Sequence, residues 1–183
     1  MTTDDFCVPE VDVFPLDVDM LVTKVYKAAI AGIQQLGKQY NQQPEADGER
    51  LIWLFHVRDM KVHAGNMCLV SLISLFDGWL EKKHPCGHRK SRFQELETRL
   101  GQGPLKLPEL DEIIVARNSI VHHGGKSRFR DPSDDLRTVD DQYLDFEGEA
   151  PERVAITEAL LTGLTEKIKS QVEFWNAAGR KRS

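Results

Sequence analysis

Apolar residues recur at helical spacing along most of the chain. Leu21, Val22, Val25, Ala29, Ile33 and Leu36 fall on one stripe of a helix that begins near Asp17, with Asp17 or Asp19 able to cap it. The stripe stops at residues 41–44 and a polar loop runs to Gly48. A second helix is expected from near Glu49 to about Lys83, about 50 Å long at ~1.5 Å per residue. Gly65 reads as a kink within it. From Met67 onward, through Leu69, Leu72, Ile73, Phe76 and Leu80, the helix is apolar nearly all round, which marks this half as the central core element.

Residues 84–90 read as a basic turn, after which Ser91 caps a short helix to about Leu100. A third main helix follows from Pro108 or Glu109 to about His122. Proline suits its first turn, and Glu109, Asp111 and Glu112 suit the positive end of the dipole. Gly124 and Gly125 stop it. Residues 126–150 are polar and lack helical periodicity. Residues 143–146 and 153–156, on either side of a turn at Gly148, form a small hairpin pattern. A last helix begins near Thr157, with Ile156, Leu160, Leu161, Leu164, Ile168, Val172 and Trp175 on one stripe. Helices joined by short connections predict an all-α, up-and-down helical bundle with a long central helix and a small β-hairpin insertion before the last helix. The expected organisation is an irregular, proline-broken arm at 1–16, one helical domain at 17–178 and a basic tail at 179–183.

Composition narrows the function classes. With 40% hydrophobic and 29% charged residues the 183-residue chain is a globular protein rather than a disordered one. No apolar run reaches the ~20 residues that span a bilayer, so no membrane partner is expected. The acidic start lacks the basic region of a signal peptide, and three cysteines without a CxxC pair read as reduced thiols; a cytoplasmic protein is expected. The net charge of −5 excludes a bulk nucleic-acid binder. Its distribution is more telling. Residues 82–130 hold eleven Lys/Arg against five Asp/Glu, a local +6 that can hold an anion. Residues 131–152 hold nine acidic residues and one basic residue, Arg137. This stretch is an ordinary acidic loop or a phosphate mimic folded over the basic region.

The chemistry concentrates at the end of the third main helix, in Arg117, Asn118 and His122. Asn118 and His122 are four apart and share a face. Arg117 and His122 are five apart, about 140° around the axis, but arginine is long enough to swing towards the same pocket. A histidine in a last turn has its cationic form favoured by the dipole, so it can take and give a proton near neutral pH. Arginine is a permanent, fork-shaped cation suited to phosphate. The pair is a minimum kit for metal-free RNA cleavage, in which histidine deprotonates the ribose 2′-hydroxyl and arginine stabilises the phosphoryl charge. The structural alternative is an Arg–Asn–His set that only hydrogen-bonds a helix end.

Arg117-Asn118-x-x-x-His122 at the end of a helix in an all-helical chain resembles the R-x(4–6)-H motif of the HEPN superfamily, many members of which are RNases of toxin–antitoxin, abortive-infection and CRISPR-associated systems. The resemblance covers residues 17–178. It implies Arg117 as the phosphate-binding arginine, His122 as the base and Asn118 as the polar residue beside them. It also implies an acidic residue on the long preceding helix that faces the site. Asp77 is the candidate, with Glu81 one turn on; a purely orienting role towards Arg117 is the alternative. Finally it implies a homodimer in which two motifs line one cleft.

Two other groups stand out. His84, Cys86 and His88 are metal-competent, with His63, Cys68 or His123 as a conceivable fourth ligand, but the spacing is not that of a zinc site. A plain basic turn is one alternative. The reading preferred here is that no metal and no cofactor is bound, and that His84, His88, Arg89, Lys90 and Arg92 form a flanking patch that contacts RNA. His123, Lys126 and Arg128, just past the motif, are further RNA-binding candidates. His56, Arg58, Asp59 and His63 form a charged helix stripe to which no site is assigned. The function expected is a metal-independent endoribonuclease, a toxin or antiphage effector with an antitoxin or activating partner. The alternative is a non-catalytic HEPN module that binds a protein, nucleotide or RNA.

Overall fold

The structure is a computed structural model that describes residues 14–41, 47–85, 87–145 and 153–180. It is mostly helical. The elements in order are α1 (Phe14–Asp19), a π-helical segment (Met20–Tyr26), α2 (Lys27–Asn41), α3 (Asp47–Lys83), α4 (Arg89–Leu100), α5 (Leu107–His123), β1 (Arg128–Arg130), β2 (Leu136–Thr138), β3 (Leu144–Asp145), β4 (Arg153–Val154) and α6 (Glu158–Arg180). A 3-10 turn at Asp141–Tyr143 precedes β3. The strands form two antiparallel pairs, β1 with β2 and β3 with β4. In register, Phe129 faces Arg137 and Leu144 faces Val154. No helix of the described residues is long and apolar enough to cross a membrane.

Helix α3 is the spine. Its residues Leu69, Leu72, Ile73, Phe76 and Leu80 are fully buried, at the three- and four-residue steps of one helix face. It is not buried all round, as its composition suggests. Met67 is 47% exposed, and Ile52, Leu54 and Phe55 on its first half are each more than half exposed. At the other end an aromatic cluster joins four helices. Phe76 of α3 packs against Phe14 of α1 and Phe93 of α4, with ring centres 6.3 and 6.4 Å apart. Trp79 stacks on Trp175 of α6 at 6.1 Å, and Trp175 donates its indole N–H to the Gly101 carbonyl at 2.9 Å.

Several boundaries differ from the expectation, each for a local reason. The first helix starts at Phe14 rather than Asp17, because burying Phe14 against Phe76 and Trp79 recruits the preceding turn, and Pro15 is tolerated there. Its buried stripe is Val18, Val22, Tyr26 and Ile33, whereas Val25 and Leu36 face outward. The π-helical turns are wider than α turns, so residues four apart stay in line through this stretch and the α-helical stripe drifts off the core. The last helix runs through Gly179 and Arg180, so only residues 181–183 of the expected tail lie outside it, and these are not among the described residues. Phe146 of the expected hairpin is likewise outside them, while its neighbours Leu144 and Asp145 do pair with Arg153 and Val154. The pairing of β1 with β2 is an addition to the expected fold. Both strands are three residues long and nearly all exposed, so they carry no alternating pattern.

Gly65 does not kink α3. A Cβ there would overlap the Ile156 carbonyl oxygen, so the glycine lets the chain before α6 lie against the helix. Next to it, buried Asn66 brackets that chain. Its Nδ2 donates to the Val154 carbonyl at 2.9 Å, and its Oδ1 accepts from the Ile156 N–H at 3.2 Å. Gly65→Ala is expected to lose about 2–3 kcal/mol in urea unfolding, because backbone has to move to relieve the overlap. Gly163→Ala, which meets open space on α6, is expected to gain up to ~1 kcal/mol from helix propensity.

Candidate functional site

The motif helix α5 is capped at both ends. Glu109 accepts from the Lys106 backbone N–H at 3.1 Å in a capping box, and Pro108 sits in the first turn. The Glu109 carboxyl lies below its ordinary range, chiefly because Lys167 of α6 donates to it at 2.9 Å; its partial burial opposes this. At the other end Gly124 and Gly125 both take positive φ, 63° and 76°, which turns the chain back on itself. Three contacts hold that turn. Ser119 Oγ, fully buried, donates to the Lys126 carbonyl at 2.6 Å. The Val154 N–H donates to the Gly125 carbonyl at 2.8 Å, and the ring of His123 stacks on Phe129 of β1 at 4.3 Å.

These contacts separate the two histidines. His123, an RNA-binding candidate, is half-buried in packing, whereas His122 is exposed. Arg117 faces the other way. It is half-buried, its Nη1 donates to Asn118 Oδ1 at 3.0 Å, and its buried Nε has no partner. Burial pushes its pKa down, the Arg89 charge adds to this, and Asp77 opposes it. The arginine therefore looks towards α3 and α4. The structure bonds it to Asn118 and sets it within electrostatic reach of Asp77 and Arg89; among the described residues it gives no contact between Arg117 and His122.

Asp77 does not orient Arg117 through a hydrogen bond. It pairs with Arg89 at 2.8 Å and with Arg92 at 3.6 Å, and Arg92 also reaches Glu81 at 3.1 Å. Helix α4 begins at Arg89 with His88 as its N-cap, three residues before the Ser91 cap expected, which puts Arg89, Lys90 and Arg92 in its first turn. Cations there oppose the helix dipole. Asp77 and Glu81 from α3, and Asp111 from α5 at 2.6 Å from Lys90, supply the compensating charge. The residues read as a flanking basic patch thus adjoin the motif arginine. Two facing i,i+3 and i,i+4 pairs, Asp77 with Glu81 and Arg89 with Arg92, were the available signal.

The remaining candidates are more dispersed. Lys126 and Arg128 are exposed beyond the turn. A groove of about 700 Å³ runs beside them between the first half of α3 and the turn after α5, with Phe55, His63, Met67, Ile120, Gly124 and Arg153 on its walls. His56, Asp59 and His63 line an apolar cleft of about 650 Å³ with Trp53 between α2 and α3. Cys86 lies outside the described residues, and among those residues no three His, Cys, Asp or Glu side chains gather as a metal site. The acidic segment after β1 pairs with its own arginines, Asp131 with Arg137 at 2.8 Å and Asp134 with Arg130 at 3.2 Å.

No protein-family model, curated protein or solved structure matches the chain.

Asp131 is held at about 2, first by the Ser133 hydroxyl at 2.6 Å and then by Arg137. A depressed carboxylate stabilises the fold above its ordinary pKa of 3.8, and that contribution is lost as pH falls through about 2. Following the Asp131 carboxyl carbon by NMR should give a midpoint near the lower value. Ser133→Ala and Arg137→Ala should each move it upward.

Proposed function

We propose that the chain is a metal-independent endoribonuclease of the HEPN type, working in the cytoplasm as a toxin or antiphage effector. The observation that carries this reading is the presence, on the last two turns of one helix, of an exposed imidazole at His122 and a half-buried guanidinium at Arg117. His122 takes the proton of a ribose 2′-hydroxyl. The 2′-oxygen forms a bond to the adjacent phosphorus and the bond to the 5′-oxygen breaks. The proton passes to that leaving oxygen, directly from the imidazolium or through water. Arg117 and the amide of Asn118 steady the charge on the phosphoryl oxygens. The products are a 2′,3′-cyclic phosphate and a 5′-hydroxyl.

Within one chain Arg117 and His122 point apart. A homodimer resolves this if the second copy sets its own motif across the cleft, so that one phosphate meets a histidine and an arginine together. The exposed apolar side chains of Phe55, Met67 and Val121 near the His122 end suit such a face. An antitoxin or activating protein would then regulate the assembled cleft. The second reading, a module that binds RNA, nucleotide or protein without turnover, is favoured by the same separation, since Arg117 sits with Arg89 and Asp77 rather than with the histidine.

The test is RNA cleavage in EDTA. Wild type is expected to leave cyclic-phosphate ends and to spare the all-deoxy strand. Arg117→Ala and His122→Ala are each expected to lower the rate by about 10²-fold or more. Intact RNA after incubation with folded, dimeric wild type would favour the binding module.

A further inference from the structure

Two guanidinium groups, those of Arg89 and Arg92, meet one carboxylate, Asp77, where α3, α4 and α5 join, and a third, Arg117, lies within electrostatic reach of it. Arg89 Nη2 donates to Asp77 Oδ2 at 2.8 Å, and Arg92 Nη1 stands 3.6 Å from Asp77 Oδ1, too far for a hydrogen bond. Arg117 adjoins them, near enough for the charges of Arg89 and Asp77 to act on it. Of the other anions, Asp111 is taken by Lys90, and Glu81 binds Arg92 but is 62% exposed, while Arg92 is only 13% exposed. Water screens the glutamate, so the inner part of the junction holds an excess of positive charge.

The hydrogen bonding is unbalanced in the same sense, with three unused donors against one unused acceptor. The Nε–H groups of Arg89, Arg92 and Arg117 are all buried without a partner, and Asp77 Oδ1 accepts no hydrogen bond. Buried donors in folded proteins almost always find an acceptor. Here three donors of one kind lack one in a single junction. The position adds to the imbalance: Arg89 and Arg92 lie in the first turn of α4, which contains no acidic residue, so the helix dipole raises the positive potential further. Forked cations around a shared point match an oxyanion with several acceptor oxygens. Asp77 is more exposed than either arginine bound to it, 31% against 17% and 13%, so it closes the junction on the solvent side.

We propose that this junction is a phosphate-binding site in which Asp77 is the resident counter-anion, displaced from Arg89 and Arg92 when a phosphoryl group enters. The site shares Arg117 with the endoribonuclease reading but does not rest on it, because binding here requires no cleavage and no second copy. Its ligand is a phosphoryl oxyanion, carried by a nucleic-acid strand or by a free phosphate compound.

Thermal unfolding in sodium phosphate against sodium chloride, at matched pH and ionic strength, tests it. Wild type should melt higher in phosphate, and Arg92→Gln should lose most of that rise. Asp77→Asn should melt lower in chloride yet bind phosphate about fivefold or more tightly, since a like charge about 4 Å from the ligand is gone. Glu81→Gln, at an exposed position, should tighten binding about twofold and serves if Asp77→Asn does not fold. An all-deoxy oligonucleotide identifies the source. Displacement of phosphate by the strand assigns the site to a phosphodiester, and phosphate binding without displacement assigns it to a free phosphate compound. A phosphate response that survives Arg92→Gln overturns the proposal. So does no response to phosphate or strand in both wild type and Glu81→Gln.

Discussion

The register of α3 against its neighbours is set at Phe76. Its fully buried ring contacts Phe14, Trp79 and Phe93, and through Trp79 and Phe93 it is linked to Trp175, so α1, α3, α4 and α6 share one aromatic cluster. Burial of each such ring contributes about 2–3 kcal/mol, against ~0–1 kcal/mol for an exposed ion pair. The rings therefore decide the geometry and the charges follow it. With Phe76 and Leu80 turned inward, Asp77 and Glu81 come one helical step round, on the flank that α4 covers. With Phe93 and Leu96 turned inward, Arg89 and Arg92 lie on the flank of α4 facing back. The ionic junction is a consequence of how the aromatic core locks.

A second seam controls the other end of the motif helix. Gly65 allows the chain at Ile156 to touch α3, and Asn66 pins that chain through two backbone hydrogen bonds. The pinned strand β4 in turn holds the Gly125 carbonyl. The turn that follows His122 is thereby tied to the middle of α3 rather than left as a free loop. Two buried polar side chains, Asn66 and Ser119, carry this connection. Both are polar groups whose hydrogen bonds replace water at a helix-to-strand contact, where apolar packing alone would leave backbone groups unsatisfied.

Much of this was legible in the sequence, and what was not has identifiable causes. The stripe Leu161, Leu164, Ile168, Val172 and Trp175 lies buried as its spacing indicates, because α6 packs as an undistorted helix. The first stripe was misplaced at Val25 and Leu36 because a π-helical stretch obeys a different period, and nothing in composition announces it. The start of α4 was misplaced because its basic first turn violates the dipole preference, and the compensating acids belong to other helices. Gly65 was visible, but its reason is a contact 91 positions away, between residues 65 and 156. At the site, Arg117, Asn118 and His122 stood out as a pattern, and their divergence around the helix followed from spacing alone. That Arg117 would meet Arg89 and Asp77 depended on the packing of three helices.

The junction differs from the ion pairs elsewhere among the described residues in its balance: Arg89 and Arg92 each reach a carboxylate, at 2.8 and 3.1 Å, but Arg117 beside them is bonded to the neutral Asn118. Lys167 meets Glu109 at 2.9 Å, and Lys169 meets Asp19 at 2.8 Å, each cation with a carboxylate within hydrogen-bonding distance. Arg130 and Arg137 are matched by Asp134 and Asp131 within their own hairpin. A desolvated charge contributes little to stability even when paired, and an excess of one sign is a net cost. Stability alone would therefore favour apolar side chains, or a matched set, where α3, α4 and α5 join. Arg89 and Arg92 instead share the inner carboxylate of Asp77, Arg117 stands within its electrostatic reach, and three buried N–H groups are left unused. Such a cluster is compatible with a stable fold because the aromatic core beside it supplies the surplus, and its unused donors are what a phosphoryl group would satisfy.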